Sequence, residues 1–140
     1  MTSKREQVIE AVKAVCVGMA TATVWRNRER PTKIPAEGLI IVRDGEMGDP
    51  EVLLSPVTYV WTHGVEIELA TASGDRDGAL DVMLADLSAA LAAAPTLGGL
   101  VDYMQTSAPE IETESPEGAS GVKAATVVVR LTYETADPLG

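Results

Sequence analysis

Residues 59–94 read YVWTHGVEIELATASGDRDGALDVMLADLSAALAAA, and this stretch predicts a long strand followed by one helix. Its first half has the period of two that is typical of a half-buried strand. The inward-facing positions are Tyr59, Trp61, His63, Val65, Ile67, Leu69 and Thr71. After a polar turn, apolar residues recur at spacings of three and four, at Leu80, Met83, Leu84, Leu87 and Leu91. A strand face and a helix stripe that both need cover predict a helix lying across a sheet.

The length and composition of the chain fit one domain. A chain of 140 residues can bury roughly two-thirds of its surface. The hydrophobic content of 46% and the mean hydropathy of +0.10 exclude a disordered chain, and no apolar run reaches membrane-spanning length. The first residues carry no persuasive signal-peptide cleavage region. We therefore expect residues 1–140 to form a single domain that stays in the cytoplasm where it is made, with no membrane partner.

The charge balance and the cysteine count exclude several classes of function. The net charge of −10 repels nucleic acid, so sequence-specific DNA binding is not expected. Cys16 is the only cysteine, which excludes an intramolecular disulfide and a thiolate zinc cluster within one chain. Phenylalanine is absent, so the core must consist mainly of aliphatic side chains and offers few stacking platforms for bases or sugars.

The N-terminal third predicts a helix, a strand and a basic loop. Ser3 and Glu6 have the spacing of a capping box at a helix start, and Gly18 is the expected terminator. Residues 21–26 are rich in β-branched and aromatic residues and predict a strand. Residues 26–33 form a basic loop after this strand. Pro31 and Pro35 prevent it from forming a helix or pairing in a sheet.

Two segments precede the long strand. The continuous apolar run at residues 38–42 predicts a strand that is covered on both faces or lies centrally in the sheet, and that ends at Asp44-Gly45. Residues 43–56 carry two glycines and two prolines, so we expect a long excursion there, with a short β piece at residues 52–54. A loop of this size in a compact domain is usually functional or mobile.

The C-terminal part predicts a strand followed by a hairpin. Residues 101–106 alternate as a strand that continues, through a bulge near Ala108-Pro109, into an acidic segment at 110–114. Turn residues at 116–121 then lead into a closing strand, whose buried positions are Ala125, Val127, Val129, Leu131 and Tyr133. The predicted fold is α+β: a mostly antiparallel sheet with two helices on one face, in the order α, β, β, a possible short β, β, α, β, β.

No residue pattern predicts catalysis or a cofactor. His63 lies between apolar neighbours, and we expect it to be packed and hydrogen-bonded, because triad chemistry needs partners that the pattern does not supply. Cys16 lies on the predicted helix and is expected to be a buried small hydrophobe. Three carboxylates on one strand diverge too much for a calcium site, so they are expected to protect an edge or to face a basic partner.

The basic loop is the one segment of this acidic chain in which positively charged residues cluster. It has no adjoining glycine-rich phosphate loop, so a charged contact with another subunit is the simpler interpretation. We hypothesise that the basic loop and the acidic strand are the unlike halves of a head-to-tail interface that closes into a ring. The candidate interface residues are Arg26, Arg28, Arg30, Lys33, Glu46, Glu51, Glu110, Glu112 and Glu114.

The layout resembles the tail terminator, or tail completion, proteins of long-tailed bacteriophages, including the minor tail protein U group of lambda-like phages. The resemblance covers nearly the whole chain and rests on order and spacing. Its parts are the N-terminal helix, Arg30-Pro31 and Ile34-Pro35 after a strand, Leu39-Ile40-Ile41-Val42, Gly64-Val65-Glu66-Ile67-Glu68-Leu69, Pro95-Thr96-Leu97 after the second helix, and Val129-Arg130-Leu131-Thr132-Tyr133-Glu134. The excursion at 43–56 is longer than in the lambda-like pattern.

The resemblance implies a structural protein without catalytic residues, cofactor or metal. Its subunits are expected to form a hexameric ring in the virion tail, to end polymerisation of the tail tube protein, and to provide the surface that the head connector protein joins. An acidic lumen would let DNA pass without specific binding. Two alternatives remain: another phage head-tail connector or neck protein, and, more distantly, a small metal-dependent hydrolase using His63 or the acidic strand.

Overall fold

A computed structural model describes residues 2–19, 22–72, 74–114 and 121–140, without the side chain of Glu114. The elements follow in the order α1 (Lys4–Val17), β1 (Thr23–Arg26), β2 (Leu39–Glu46), β3 (Glu51–Leu53), β4 (Thr58–Thr71), α2 (Arg76–Ala92), β5 (Tyr103–Thr106), β6 (Glu110–Glu114) and β7 (Val122–Thr135). This order agrees with the predicted one as far as α2, with the short β piece present as β3, but three strands follow α2 where two were predicted.

The described strands form one sheet. β4 and β7 lie at its centre and pair along their whole length, from Tyr59 opposite Thr135 to Thr71 opposite Lys123. β2 and β3 both pair with the same strand, β4, and β5 and β6 both pair with β7. β1 adds to β2 in parallel, whereas the other pairs are antiparallel. The predicted α+β class, with a mostly antiparallel sheet, is therefore confirmed.

Both helices cover the same face of the sheet. The odd-numbered residues of β4 point to the helices, and those from Trp61 to Leu69 are at most 5% exposed. The helices contribute Val8, Ile9, Val12 and Cys16 from α1 and Leu80, Leu87 and Leu91 from α2, all buried. Each large aliphatic side chain buried in this way stabilises the fold by about 1.5–3 kcal/mol. The period-2 and helical patterns of residues 59–94 are thus confirmed.

The opposite face of the sheet, which we call the open face, is covered at one end only. There Ile34, from the connection between β1 and β2, packs on Leu39, Ile41, Ala70 and Ala124. Residues 39–42 of β2 are therefore buried on both sides, as the continuous apolar run predicts. Farther along β4 and β7 the open face carries charged and polar side chains.

The helix ends agree in part with the predicted capping. The Ser3 hydroxyl accepts a hydrogen bond from the backbone N–H of Glu6 at 3.1 Å, as in a capping box. The Glu6 carboxylate, however, accepts hydrogen bonds from the Arg26 guanidinium. Gly18 is the C-cap of α1, but its φ of −70° is right-handed, so the conformational freedom of glycine is not used there.

The predicted excursion at residues 43–56 is wrong in its extent. β2 continues past Asp44 to Glu46 through an irregularity in its register with β4, so the strand does not end where it was predicted to end. The chain then forms a hairpin from β3 and the start of β4. Gly45 makes the continuation possible: its φ is 66°, and a β-carbon on it would lie 1.8 Å from the carbonyl oxygen of Gly64.

The bulge expected near Ala108-Pro109 is a break between two strands. β5 ends at Thr106 and β6 begins at Glu110, and Ser107 bridges the gap to β7. Its backbone N–H donates to the Val128 carbonyl at 2.8 Å, and its hydroxyl accepts from the Val128 N–H at 3.0 Å. β6 and β7 pair as the predicted hairpin, while residues 115–120 of its turn lie outside the described residues.

The close approach of Gly45 to Gly64 predicts a large effect of one methyl group. Gly45→Ala should lower the free energy of unfolding by more than about 3 kcal/mol, because it adds a backbone clash to a left-handed φ. Gly48→Ala is the matched control: its φ is also 66°, but nothing lies within 4 Å of the added β-carbon. That variant should lose only about 1 kcal/mol. Equal losses in urea denaturation would contradict the packing argument.

Candidate functional site

His63 is buried at the centre of the helix-facing side and is hydrogen-bonded at both ring nitrogens. Nε2 lies 2.6 Å from the backbone carbonyl oxygen of Asp44, and Nδ1 lies 2.9 Å from the Tyr133 hydroxyl. A carbonyl can only accept, so Nε2 carries the proton and the neutral ring accepts from Tyr133 at Nδ1. The expectation of a packed, hydrogen-bonded histidine is confirmed.

The surroundings of His63 and Tyr133 favour the neutral form of both side chains. Burial lowers the pKa of His63, although the nearby Asp44 opposes this shift. Burial raises the pKa of the Tyr133 hydroxyl to about 12. A second buried hydrogen bond joins the Trp61 indole N–H to the Thr135 hydroxyl at 2.9 Å, between the same two strands and two residues farther along each. These bonds fix the register of β4 against β7 and tie His63 to the irregular part of β2.

Cys16 is fully buried, as the sequence predicts. Burial raises the pKa of its thiol to about 12, so the thiolate is not populated near neutral pH. This residue packs as a small hydrophobic side chain between α1 and the sheet.

Arg26 is the centre of an ion-pair network inside the subunit. Its guanidinium contacts the carboxylates of Glu6 and Glu10 on α1 and of Asp44 on β2, the last at 2.9 Å, and its side chain is only 18% exposed. Hydrogen bonds with Glu6, foremost, raise the pKa of Arg26. Burial alone would raise the pKa of Asp44, but hydrogen bonds from Asn27 and Arg26 outweigh it and leave that pKa lowered. Arg26 therefore joins α1 to the sheet.

Arg30 also lies against acidic groups of its own chain. Its Nε lies 4.0 Å from Glu68 Oε2 on the open face, and Arg43 Nη1 lies 3.3 Å from Glu68 Oε1. Glu68 thus sits between two cations, with its side chain 12% exposed. Like Arg26, Arg30 is held by contacts within its own subunit, and both side chains are only 18% exposed.

The other two residues of the basic cluster are exposed. The Arg28 guanidinium stacks over the Trp25 ring, 4.9 Å from its centroid, which holds the cation at the β1 edge of the sheet. Lys33 is exposed farther along the same connection. Of the four candidate cations, Arg28 and Lys33 are therefore the two available to a partner.

The acidic strand forms the opposite edge of the sheet. Glu110 and Glu112 are exposed on β6 and lie opposite Thr126 and Ala124 of β7, on the open face. The side chain of Glu114, the third candidate, lies outside the described part of the chain. The remaining candidate acids, Glu46 and Glu51, are exposed at the end of β2 and at the start of β3.

One exposed feature escaped the sequence analysis. The β3–β4 hairpin presents four apolar side chains to solvent, with exposed fractions between 42% and 76%: Val52, Leu53, Leu54 and Val57. Sequence reading identified residues 52–54 as a β piece but did not predict that nothing in the subunit covers it. The sequence could have predicted this exposure, because the three consecutive apolar residues 52–54 cannot all face the same side of a strand.

The described residues hold no group of three or more His, Cys, Asp or Glu side chains arranged to bind a metal ion. Among them, neither helix combines the length and hydropathy needed to cross a membrane. In comparisons with known proteins, no family model matches the chain, and no curated sequence shows significant similarity to it.

The network around Arg26 predicts unequal effects of two neighbouring arginines. Arg26→Met should lower the free energy of unfolding by about 2 kcal/mol, because it leaves three carboxylates close together without their cation, partly screened by water. Arg28→Met is the control and should cost less than about 1 kcal/mol, the worth of an exposed cation–π contact. Urea denaturation of both variants measures the difference, and a larger loss for Arg28→Met would contradict the assignment.

The buried His63 predicts that the protein loses stability as the pH falls. Its pKa in the folded state is lowered below 6.5, so the unfolded state binds the proton first and stability declines as the pH falls through that value. The lowered pKa values of Glu6 and Asp44 act in the same direction at more acid pH. Between about pH 8 and about pH 5.5, His63→Gln should flatten the decline, because glutamine also has a donor and an acceptor group but does not titrate there. An unchanged slope would show that His63 is not its source.

Proposed function

We propose that the protein is the tail terminator of a phage or prophage: a structural subunit that forms a ring, caps the tail tube to end its polymerisation, and offers the surface to which the head is joined. The resemblance described above supplies this function. What supports it in the molecule is the distribution of exposed charge over the two edges of the sheet.

The observation that carries the proposal is a single row of residues across the open face. Trp25, Ile41, Glu68, Thr126 and Glu110 lie opposite one another in successive strands. Arg28 stacks on Trp25 at one end of the row, and Glu110 and Glu112 are exposed at the other. Five strands at a spacing of about 4.8 Å separate cation and anion by roughly 19 Å, so the two patches cannot meet within one subunit.

Unlike patches on opposite edges favour a head-to-tail contact between copies. Such a contact leaves one cationic and one acidic edge free after each addition, and it closes into a ring when the rotation between copies divides the circle. Complementary charge also fixes the register and suppresses wrong pairings. That the ring contains six subunits is implied by the resemblance alone.

The remaining charges suit a ring through which DNA passes. With a net charge of −10 the subunit repels a polyanion over most of its surface, so the lumen offers DNA no adhesive path. The partners proposed are further copies of the chain, the tail tube protein on one rim and the head connector protein on the other. The site of action is the virion tail, after assembly in the host cytoplasm.

The edge contact predicts a charge-exchange result. Arg28→Glu and Glu112→Lys should each weaken self-association about tenfold or more, because each places like charges across the contact. Combining the two in one chain should restore it. Native mass spectrometry across protein concentration measures the ring population. Glu134→Lys changes the charge equally at an exposed site on the central strand β7 and should have no effect. Unaltered assembly of both single variants would overturn the contact.

The role in tail assembly is tested by interrupting the gene in a phage or prophage that carries it. A terminator is required to stop the tube, so electron micrographs should show tails of uncontrolled length without heads. A neck protein acts later, and its loss should leave tails of normal length that fail to join heads. Complementation with the wild-type chain should restore normal virions, whereas complementation with the Arg28→Glu variant should not.

A further inference from the structure

The strand β1 lies at one edge of the sheet, and half of its backbone groups point outward. Among the strands that the structure describes, it pairs with β2 only. The N–H groups of Thr23 and Asn27 donate, at 3.1 Å and 2.9 Å, to carbonyl oxygens on and next to β2. Because backbone groups alternate in direction along a strand, those of Val24 and Arg26 point away from β2. The outer side of β1 is therefore a template for one more strand.

The connection that follows β1 does not cover this outer side. The Arg28 carbonyl accepts a hydrogen bond from Arg43 of β2 at 3.0 Å. Arg30 lies 4.0 Å from Glu68 of β4, and Ile34 packs on β7. The connection thus crosses the open face away from the β1 edge, while α1 packs on the opposite face.

The strand β6 lies at the other edge of the sheet, and its described side chains are all exposed. The direction of its backbone groups follows from β7. There the N–H and C=O of Val128 bond to Ser107, on the β6 side, at 3.0 Å and 2.8 Å. By alternation the even-numbered residues of β7 point toward β6, where they lie opposite Glu110 and Glu112. The N–H and C=O of Ile111 therefore point outward.

Strand direction and charge decide which edges can pair. The carboxylates of β6 repel the β6 edge of a second copy, which disfavours a two-fold contact through this strand. β1 is parallel to β2, and three antiparallel pairs lead from β2 to β6, so β1 and β6 run in opposite directions. Copies that follow one another head to tail keep these directions. The β1 edge of one copy therefore meets the β6 edge of the next in antiparallel orientation.

The row of residues across the open face gives the register of this meeting. Trp25 and Glu110 share that row, so Val24 lies opposite Ile111 when neighbouring copies are level. The outward backbone groups of Val24 and Ile111 then face each other, as in a hydrogen-bonded antiparallel pair. Their side chains both lie on the helix-facing side, because their partners in the sheet are the buried Ile40 and Ala125.

Exposed apolar side chains also occur on both sides of this meeting. Ile111 is 54% exposed, and Val17 of α1 is 60% exposed. Val17 follows Glu10 by seven residues, so it lies on the same flank of the helix, and Glu10 contacts Arg26 of β1 at 2.7 Å. Val17 therefore lies on the flank of α1 that faces the β1 edge.

We propose that β1 of one copy adds to β6 of the next as an antiparallel strand, so that main-chain hydrogen bonds join the copies into one continuous sheet. Val24 and Val17 cover Ile111 on the helix-facing side, and Arg28 meets Glu110 on the open face. The main-chain bonds provide affinity, and the side chains fix the register. The inference rests on the proposed ring and specifies how its two edges bind.

Direct disulfide formation tests the strand pairing. A disulfide needs Cα atoms within about 7 Å, a distance that residues opposite each other in paired strands satisfy. The double variant Val24→Cys, Ile111→Cys should therefore give a ladder from dimer up to the closed ring on a non-reducing gel after mild oxidation. The two positions lie at opposite edges of one subunit, so each disulfide must join two copies. Cys16 is buried with a raised pKa and does not react.

The controls use the same cysteines in other pairs. Val24→Cys with Val82→Cys is the matched control, because Val82 is 58% exposed on α2. This pair and both single variants should stay monomeric on the gel. Dimers from Ile111→Cys alone would overturn the proposal in favour of a two-fold contact between β6 edges.

Hydrogen exchange of individual amides measures the main-chain bonds. The Val24 and Ile111 amides should exchange at least about tenfold more slowly in the assembled wild type than in Arg28→Glu at the same concentration, because only the assembly gives them a partner. The Thr23 and Asn27 amides are the internal control. They are hydrogen-bonded within the subunit, so their protection should differ less between the two proteins.

One carboxylate opposes the proposed register and provides a separate test of it. Glu37 accepts a hydrogen bond from the Thr23 hydroxyl at 2.6 Å, and Thr23 lies opposite Glu112 of the next copy. Glu37→Gln keeps an acceptor for Thr23 but removes the like charge, so it should strengthen association about two- to fivefold. Glu134→Gln, at an exposed site on β7, should have no effect. Unchanged or weaker association of Glu37→Gln in native mass spectrometry would contradict this register.

The outcomes separate the strand pairing from the ring itself. If the Arg28 and Glu112 exchange controls assembly, but the edge cysteines give no ladder and the Val24 amide exchanges equally fast in both proteins, the pairing is overturned and the ring stands. If the chain stays monomeric at every concentration and the edge cysteines give no ladder, the ring and the pairing fail together.

Discussion

The pairing of β4 with β7 is the constraint on which the rest of the structure depends. The two strands are opposed without interruption through thirteen residue pairs, and each carries further strands on its outer side. Residues 59–71 and 123–135 are far apart in the sequence, so the chain must close a long loop before this ladder forms. Once it has formed, β2 and β3 on one side and β5 and β6 on the other all have a partner to align on.

The pairing of β4 with β7 also explains how the two helices are positioned without strong capping signals of their own. α1 and α2 lie side by side over one continuous apolar surface, made by alternate residues of the two central strands and their neighbours. Neither helix ends in a strong left-handed cap, and α2 consists largely of alanine and leucine beyond its first turn. Their position is set by the surface beneath them and, for α1, by the ion pairs around Arg26.

The parts of the fold that follow from local periodicity could be predicted from the sequence. The alternation in residues 59–71 and 122–135, the helical spacing from Leu80 to Leu91 and the burial of His63 and Cys16 all depend on residues close together in the chain. The extension of β2 could not be predicted, because glycine weakens a strand, and the close approach of Gly45 to the carbonyl oxygen of Gly64 joins residues far apart in the sequence. The roles of Arg26 and Arg28 could not be separated either. They differ by two positions, but β1 ends between them, and Asn27 adopts a left-handed φ of 53° that turns the chain.

The parallel pairing of β1 with β2 has a consequence for the connection between them. Two parallel neighbours cannot be joined by a tight turn, so residues 27–38 must run back along the sheet before β2 can begin. The path is taken over the open face, where Ile34 serves as its anchor. The length of this connection is therefore set by topology, while the side chains on its outer surface are free to differ. Substitutions on the outer surface of this connection can therefore change the charge and shape of the open face without any change to the sheet that the connection crosses.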